Sequence, residues 1–215
     1  MRKRLTWIFD LDNTLHDATP HVFPHINRSM TAYLQKYLAL DEREASALRT
    51  LYWRKYGATL TGLMRHHATD PHHFLWHTHQ FPALHDMVIG ERGLRHALRR
   101  IRGPRIVFSN SPLHYARSVL ELLRIDDLFD SVYCIEQTGF RPKPSPAAFR
   151  VIIERERLTP GRTVLVEDTL VNLRAARRLG LKTVWVTRDS RSPAFVDAKV
   201  ASVVALPGVA ARMGG

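Results

Sequence analysis

Only one cysteine, Cys134, occurs in 215 residues, so no disulfide can form within the chain. It lies in Ser131-Val132-Tyr133-Cys134-Ile135, a strand-like run where a thiol serves as a small buried hydrophobe rather than a nucleophile. Long apolar runs are also missing, and none approaches the ~20 residues that a membrane span needs. The start, Met1-Arg2-Lys3-Arg4, has the charge of a leader, but only Leu5 to Phe9 follow before Asp10 interrupts. That is too short for the apolar stretch of a secretory signal, and the expectation is a cytoplasmic protein without a membrane partner. Acids are scarce beside bases: 20 Asp and Glu against 32 Lys and Arg leave a formal net charge of +12. Such a surplus favours anionic partners, whether small phosphate esters, nucleic acid or membrane surfaces, without choosing among them. What is present is an ordinary globular mix, 45% hydrophobic and 24% charged. It excludes a disordered chain and suffices for one buried core plus a smaller accessory unit.

Leu5-Thr6-Trp7-Ile8-Phe9 is a short apolar run that ends abruptly in acids, and it reads as a buried strand. Similar runs stand at 105–108, 163–166 and 183–186, with weaker ones at 131–135 and 201–205. Helical patterns separate most of them, which predicts a parallel sheet covered on both faces. Ser111-Pro112 opens one helix, with Leu113, Ala116, Leu120 and Leu123 at helical spacing. A second follows Asp168-Thr169, with Leu170, Leu173, Ala176 and Leu179 on one stripe and Gly180 closing it. Both helices begin directly after a strand, at the sheet edge where open α/β folds bind anions. From about Ala18 to Ile89 the alternation stops, and only helical periodicity remains. The predicted division is a core of residues 1–17 and 90–215 with an inserted all-α cap over 18–89. Leu206 to Gly215 reads as a surface tail.

Chemistry gathers at the predicted strand ends. Asp10 and Asp12, two apart at the end of the first strand, fall on one side of it. Two carboxylates so close repel unless a cation or a shared proton separates them. One can stay ionised as nucleophile and metal ligand while the other cycles as acid and base. In isolation such a pair would more often just end a strand. After Phe108 come Ser109-Asn110-Ser111, a hydroxyl and amides at a helix start, suited to phosphate oxygens. After Val166 come Glu167-Asp168, suited to a hard cation such as magnesium. Lys143 sits between Pro142 and Pro144 in a stiff loop. Singly, each has a plain structural explanation; together and in this order, coincidence is a poor one.

The run Phe9-Asp10-Leu11-Asp12-Asn13-Thr14-Leu15 resembles the first motif of the haloacid dehalogenase superfamily. Ser109 resembles its second motif, Lys143 its third, and Glu167-Asp168 with Asn172 its fourth. The resemblance implies a Rossmann-like core with a helical cap inserted after the first motif. It implies that Asp10 attacks phosphorus and that Asp12 protonates the leaving oxygen, then deprotonates the hydrolytic water. Mg2+ would bind the Asp10 carboxylate, the Asp12 carbonyl and the Asp168 carboxylate, with Glu167 nearby. Ser109 and the Asn110 amide would hold phosphate oxygens, and Lys143 would neutralise charge. Dehalogenases lack an acid at the position of Asp12, so the resemblance favours a phosphatase.

Within the predicted cap, residues 52–63 (Tyr52-Trp53-Arg54-Lys55-Tyr56-Gly57-Ala58-Thr59-Leu60-Thr61-Gly62-Leu63) resemble a segment of pyrimidine 5'-nucleotidases, which remove the 5'-phosphate from UMP or CMP. That branch has Tyr where this chain has His16. The substrate-contact candidates are therefore His16, Tyr56 and Thr59. The rival substrates are sugar phosphates or phosphoglycolate, and the rival class is a basic nucleic-acid-binding or scaffold protein on a phosphatase fold. The expected partner is a small phosphorylated molecule, a nucleotide first, for a monomer or homodimer. Seven histidines, His66 to His85, crowd the predicted cap, but no matching cysteine or acid set accompanies them as a zinc site would require. Arg95, Arg99, Arg100, Arg102 and Arg105, echoed by Arg174, Arg177 and Arg178, lack an accompanying aromatic stacking motif. They read as solvated helix faces rather than a nucleic-acid footprint.

Overall fold

The computed structural model describes residues 4–213; the basic start at Met1 to Lys3 lies outside the described residues. Six strands form one parallel sheet: β1 (Thr6–Phe9), β2 (Arg105–Phe108), β3 (Ser131–Tyr133), β4 (Thr163–Glu167), β5 (Lys182–Val186) and β6 (Ala198–Val200). Their spatial order is β3-β2-β1-β4-β5-β6. The chain runs outward from β1 in one direction, then returns to its other side and runs outward again. That reversal leaves a crevice at the carboxyl ends of the central strands, where open α/β sheets take ligands.

Burial on both faces explains why the strands are continuously apolar rather than alternating. Trp7, Phe9, Val107, Val164, Val166 and Val184 enter one core cluster. Ile8, Ile106, Phe108, Leu165 and Trp185 enter the other. The first face is covered by helices at Leu94–Arg100 and Leu113–Leu122 together with the C-terminal segment. Helices at Pro146–Arg155 and Leu170–Arg178 cover the second.

Between β1 and β2 the chain forms α1 (Val22–Leu38), α2 (Glu42–Tyr56), α3 (Thr59–His67), α4 (Pro71–Thr78), α5 (Leu84–Met87) and α6 (Leu94–Arg100). Asp41 and Glu44 build a capping box at the start of α2, and Asp70 with Pro71 starts α4. Helices α1 to α4 bury a cluster of their own, which includes Leu34, Tyr52, Leu63 and Phe74. Val22 and Ile26, on the first turns of α1, pack instead into the main core. The chain enters and leaves this layer at one point, where the Asp17 amide donates to the Ile89 carbonyl at 3.0 Å.

After β2 come α7 (Leu113–Leu122), α8 (Pro146–Arg155), α9 (Leu170–Arg178) and α10 (Leu206–Met213). Gly180, at φ +85°, follows α9 in the left-handed conformation, and Leu181 N closes the end on Ala176 O at 3.1 Å. Two expectations fail here. The last strand is Ala198–Val200, not 201–205, because the Ser202 hydroxyl accepts from the Val204 amide and starts a 3-10 turn. The C-terminal stretch is no loose tail through Met213: it forms α10, whose Leu206 and Val209 are buried. No helix among the described residues is long and apolar enough to cross a membrane.

Candidate active site

β1 lies between β2 and β4, so the residues that follow these three strands emerge side by side. The Asp10 amide still donates to Val166 O at 3.0 Å, and the Ser109 amide to Tyr133 O at 2.9 Å. Both residues thus extend the sheet ladder by one step, which fixes their backbones. Beyond Asp10 the chain turns sharply. Asn13 takes φ +62°, a conformation Asn tolerates, and its Oδ1 accepts from the Ala18 amide and the Thr19 hydroxyl. Thr14 reaches back, its hydroxyl 3.3 Å from Asp10 Oδ2.

Lys143 is buried at the centre. Its Nζ donates to Asp10 Oδ1 at 2.5 Å, to Glu167 Oε2 at 2.8 Å and to Phe108 O at 2.8 Å. Three acceptors use all three ammonium protons. Burial alone would depress the lysine, but the two carboxylates outweigh it and hold it charged, above its ordinary range. The loop that delivers Lys143 is locked to β2: Lys143 N donates to Asn110 Oδ1 at 2.7 Å, and Asn110 Nδ2 returns to Lys143 O at 3.1 Å. Ser109 is buried, its Oγ 2.7 Å from that of Ser111 and accepting from the Ser111 amide.

Asp10 is raised to about 7 by burial and then by the charge of Glu167, with Lys143 opposing. Glu167 is likewise raised to about 7 by burial, again opposed by Lys143. Asp168 is raised by burial, partly offset by its hydrogen bond with Glu167. Ligand oxygens of Asp10, Glu167 and Asp168 all lie within 4.8 Å of one another. Three crowded carboxylates face one lysine, and hard oxygen donors are what a Mg2+ ion takes. The donor set fits a divalent cation.

Asp12 is placed by side chains from elsewhere. Its Oδ1 accepts from the Tyr115 hydroxyl at 2.6 Å and meets His16 Nε2 at 2.9 Å. Burial, then the charge of Asp12, pushes the Tyr115 phenol far above its usual range, so this hydroxyl acts as a donor. Nothing around position 115 marks that tyrosine in the sequence. The only hint is that it follows Ser109 on a helix starting at the same sheet edge.

Asp10, Asp12, Ser109, Asn110, Lys143, Glu167 and Asp168 therefore meet at one edge. The other candidates fare differently. His16 is buried, its Nε2 2.9 Å from Asp12 Oδ1. The Tyr56 hydroxyl pairs with His66 Nε2 at 2.6 Å, and the buried Thr59 hydroxyl donates to Arg49 O. Residues 52–63 form the seam between α2 and α3, where Gly62 lets the helices close on Tyr52. Among the clustered histidines, His66, His67 and His73 each pair with a tyrosine hydroxyl. In the basic run, Arg95 is bidentate to Asp127, while the Arg105 guanidinium donates to the carbonyls of Leu98, Ile101 and Leu128.

A doubly wound parallel sheet carrying a buried carboxylate–lysine centre at its switch point defines a Rossmann-like α/β enzyme. Residues 6–180 match the family described as "Hydrolase: haloacid dehalogenase-like hydrolase", and the chain belongs to that family. Phosphate metabolism protein 8 of Saccharomyces cerevisiae is 26% identical over 194 residues, 83% of this chain and 60% of that protein. The chain thus spans about 60% of this yeast relative's length. Phosphoglycolate phosphatase of Pseudomonas putida is 24% identical over 210 residues, 92% of this chain and 74% of the relative. Among solved structures, a haloacid dehalogenase-like phosphatase from Thermococcus onnurineus superposes with a TM-score of 0.63 at 20% identity, covering 95% of this chain and 97% of that one.

Proposed function

We propose that the protein is a magnesium-dependent phosphomonoesterase working through an aspartyl-phosphate. One observation carries this reading: Asp12 stands as a second, oriented carboxylate beside the buried Asp10–Lys143 pair. Forming and hydrolysing an acyl phosphate on Asp10 needs a nearby group that can give a proton and then take one. In the first step an Asp10 oxygen bonds to phosphorus, the phosphorus–oxygen ester bond breaks, and Asp12 protonates the departing oxygen. In the second, Asp12 takes a proton from water as the water oxygen attacks phosphorus, releasing orthophosphate and restoring Asp10. Lys143 holds Asp10 in place and offsets phosphoryl charge, while Ser109 and the Asn110 amide bind phosphate oxygens. Asp10, the Asp12 carbonyl and Asp168 would hold Mg2+, with Glu167 behind them. The ion would supply the positive charge that lets Asp10 stay ionised beside a phosphate dianion.

Residues 18–89 serve as a cap that selects the substrate, over a core of 1–17 and 90–215. The preferred substrate class is a pyrimidine nucleoside 5'-monophosphate. Trp76 of α4, 57% exposed, lies beside His114, with ring centroids 5.4 Å apart, and His114 precedes Tyr115. An exposed indole on the inserted helices is suited to stack a nucleobase. A sugar phosphate or phosphoglycolate is the alternative, supported by the Pseudomonas putida relative's name.

The test is phosphate release with Mg2+ from UMP, CMP, phosphoglycolate and a hexose phosphate. Wild type should turn over, and Asp10→Asn should lose ~10³-fold or more. Trp76→Ala should raise KM for UMP about tenfold and leave phosphoglycolate unaffected. A higher kcat/KM for phosphoglycolate than for UMP would overturn the nucleotide assignment.

A further inference from the structure

Asp12 has two carboxylate oxygens, and the protein treats them differently. Oδ1 takes the Tyr115 hydroxyl at 2.6 Å and the His16 ring at 2.9 Å. Tyr115 and His16 are themselves 3.4 Å apart, so three polar groups converge on that one oxygen. Oδ2 has no protein hydrogen-bond partner among the described residues. A carboxylate oxygen offers about two lone-pair sites, and two donors fill those of Oδ1. His16 Nε2 faces Oδ1, and His16 Nδ1 is buried without a partner among the described residues.

We propose that Tyr115, together with His16, is a positioning residue that pins Asp12 by Oδ1, so that Oδ2 alone exchanges the proton during turnover. The inference rests on the phosphomonoesterase reading. An acid–base carboxylate works only if the exchanging oxygen is held within hydrogen-bond reach of the reacting atom. A carboxylate free to swing about its last torsion offers either oxygen, in changing orientation. Two donors on the same oxygen remove that freedom, one from the loop after β1 and one from α7. Tyr115 is 1% exposed, and its ring packs against both Phe81, at 5.2 Å, and His79, at 5.9 Å. Both belong to the segment leading from α4 back toward the core. The Tyr115 arm of the clamp on Asp12 therefore rests against the end of the helical layer.

Tyr115→Phe removes one oxygen and keeps the packed ring. Rapid mixing with p-nitrophenyl phosphate and Mg2+ separates the two chemical steps. Nitrophenolate departs without needing a proton, whereas the later attack of water still needs Asp12. The expected result is a burst of about one nitrophenolate per site, then a steady state slowed roughly 10- to 100-fold with KM falling alongside kcat, so that kcat/KM changes by less than about twofold. With glycerol phosphate, whose leaving group needs the proton, the burst disappears and the loss in kcat/KM is larger. His16→Leu, which removes the other donor, should give the same pattern. Wild-type kinetics in Tyr115→Phe would overturn the clamp while leaving the phosphatase reading intact. So would an equal loss on both substrates through KM, without a burst. A wild type that releases phosphate from neither compound would overturn both.

Discussion

The carboxyl of Asp10 goes from 3.8 to about 7 on folding, through burial and then the charge of Glu167. A folded-state value above the unfolded one means that folding favours the protonated acid. The associated stability is full below about pH 4 and is lost as pH rises through 7. Asp10→Asn is neutral at every pH, so in metal-free buffer it should melt higher than wild type at pH 8, by roughly 5 °C. The advantage should shrink toward pH 5, and added Mg2+ should raise the wild-type Tm but not that of the variant. Thermal melts across pH with and without the ion check both signs. Lys143 faces the opposite demand: removing it leaves Asp10 and Glu167 buried without their cation. Lys143→Ala should cut kcat at least ~100-fold, while Ser109→Ala, flanked by main-chain amides, should cost about tenfold. Asp10, Ser109, Lys143 and Glu167 were readable from sequence because each ends a strand or sits in a stiff loop beside residues of matching chemistry. Tyr115 was not, since its partner Asp12 is 103 residues away and only the folded helix brings the two together.

At the scale of elements, legibility followed burial. The central strands declared themselves as unbroken apolar runs because both faces are covered. The edge strand was misplaced by three residues. Val203 and Val204 look like strand, but Ser202 offers the backbone a competing hydrogen bond. The last helix was missed because Pro207 and Gly208, poor helix formers, stand in its first turn, and it gains its place by packing against α6. In the helical layer, the seam of α2 and α3 depends on the absence of a side chain at Gly62. A Cβ there would lie 2.2 Å from Tyr52 Cγ and 2.6 Å from its Cβ, close to the rigid root of the ring. Gly62→Ala should therefore destabilise the protein by about 1–3 kcal/mol, read as a lower urea midpoint. Tyr56→Phe, which loses only a surface pairing with His66, should stay within about 0.5 kcal/mol of wild type.

For the molecule as a whole, α1 is the joint between layers. Val22 and Ile26 belong to the main core, Tyr33 and Leu34 to the cluster of the inserted helices. Ile135, from the core side, is buried in that second cluster as well. Shared packing of this kind predicts one unfolding transition rather than two. Trp53 and Trp76 lie in the inserted helices, while Trp7 and Trp185 lie in strands of the sheet. A variant with Trp53→Phe and Trp76→Phe reports the sheet alone by fluorescence. Its urea midpoint should coincide with that from helical circular dichroism, and a gap between the two would refute the joint. The single meeting point of Asp17 and Ile89 carries a different consequence. An excursion that departs and returns through one doorway can grow, shrink or be rewritten without altering which strands are neighbours. If the inserted helices choose the substrate, as proposed, the machinery for breaking a bond and the taste for a particular molecule can drift apart over generations, each revised while the other is left alone.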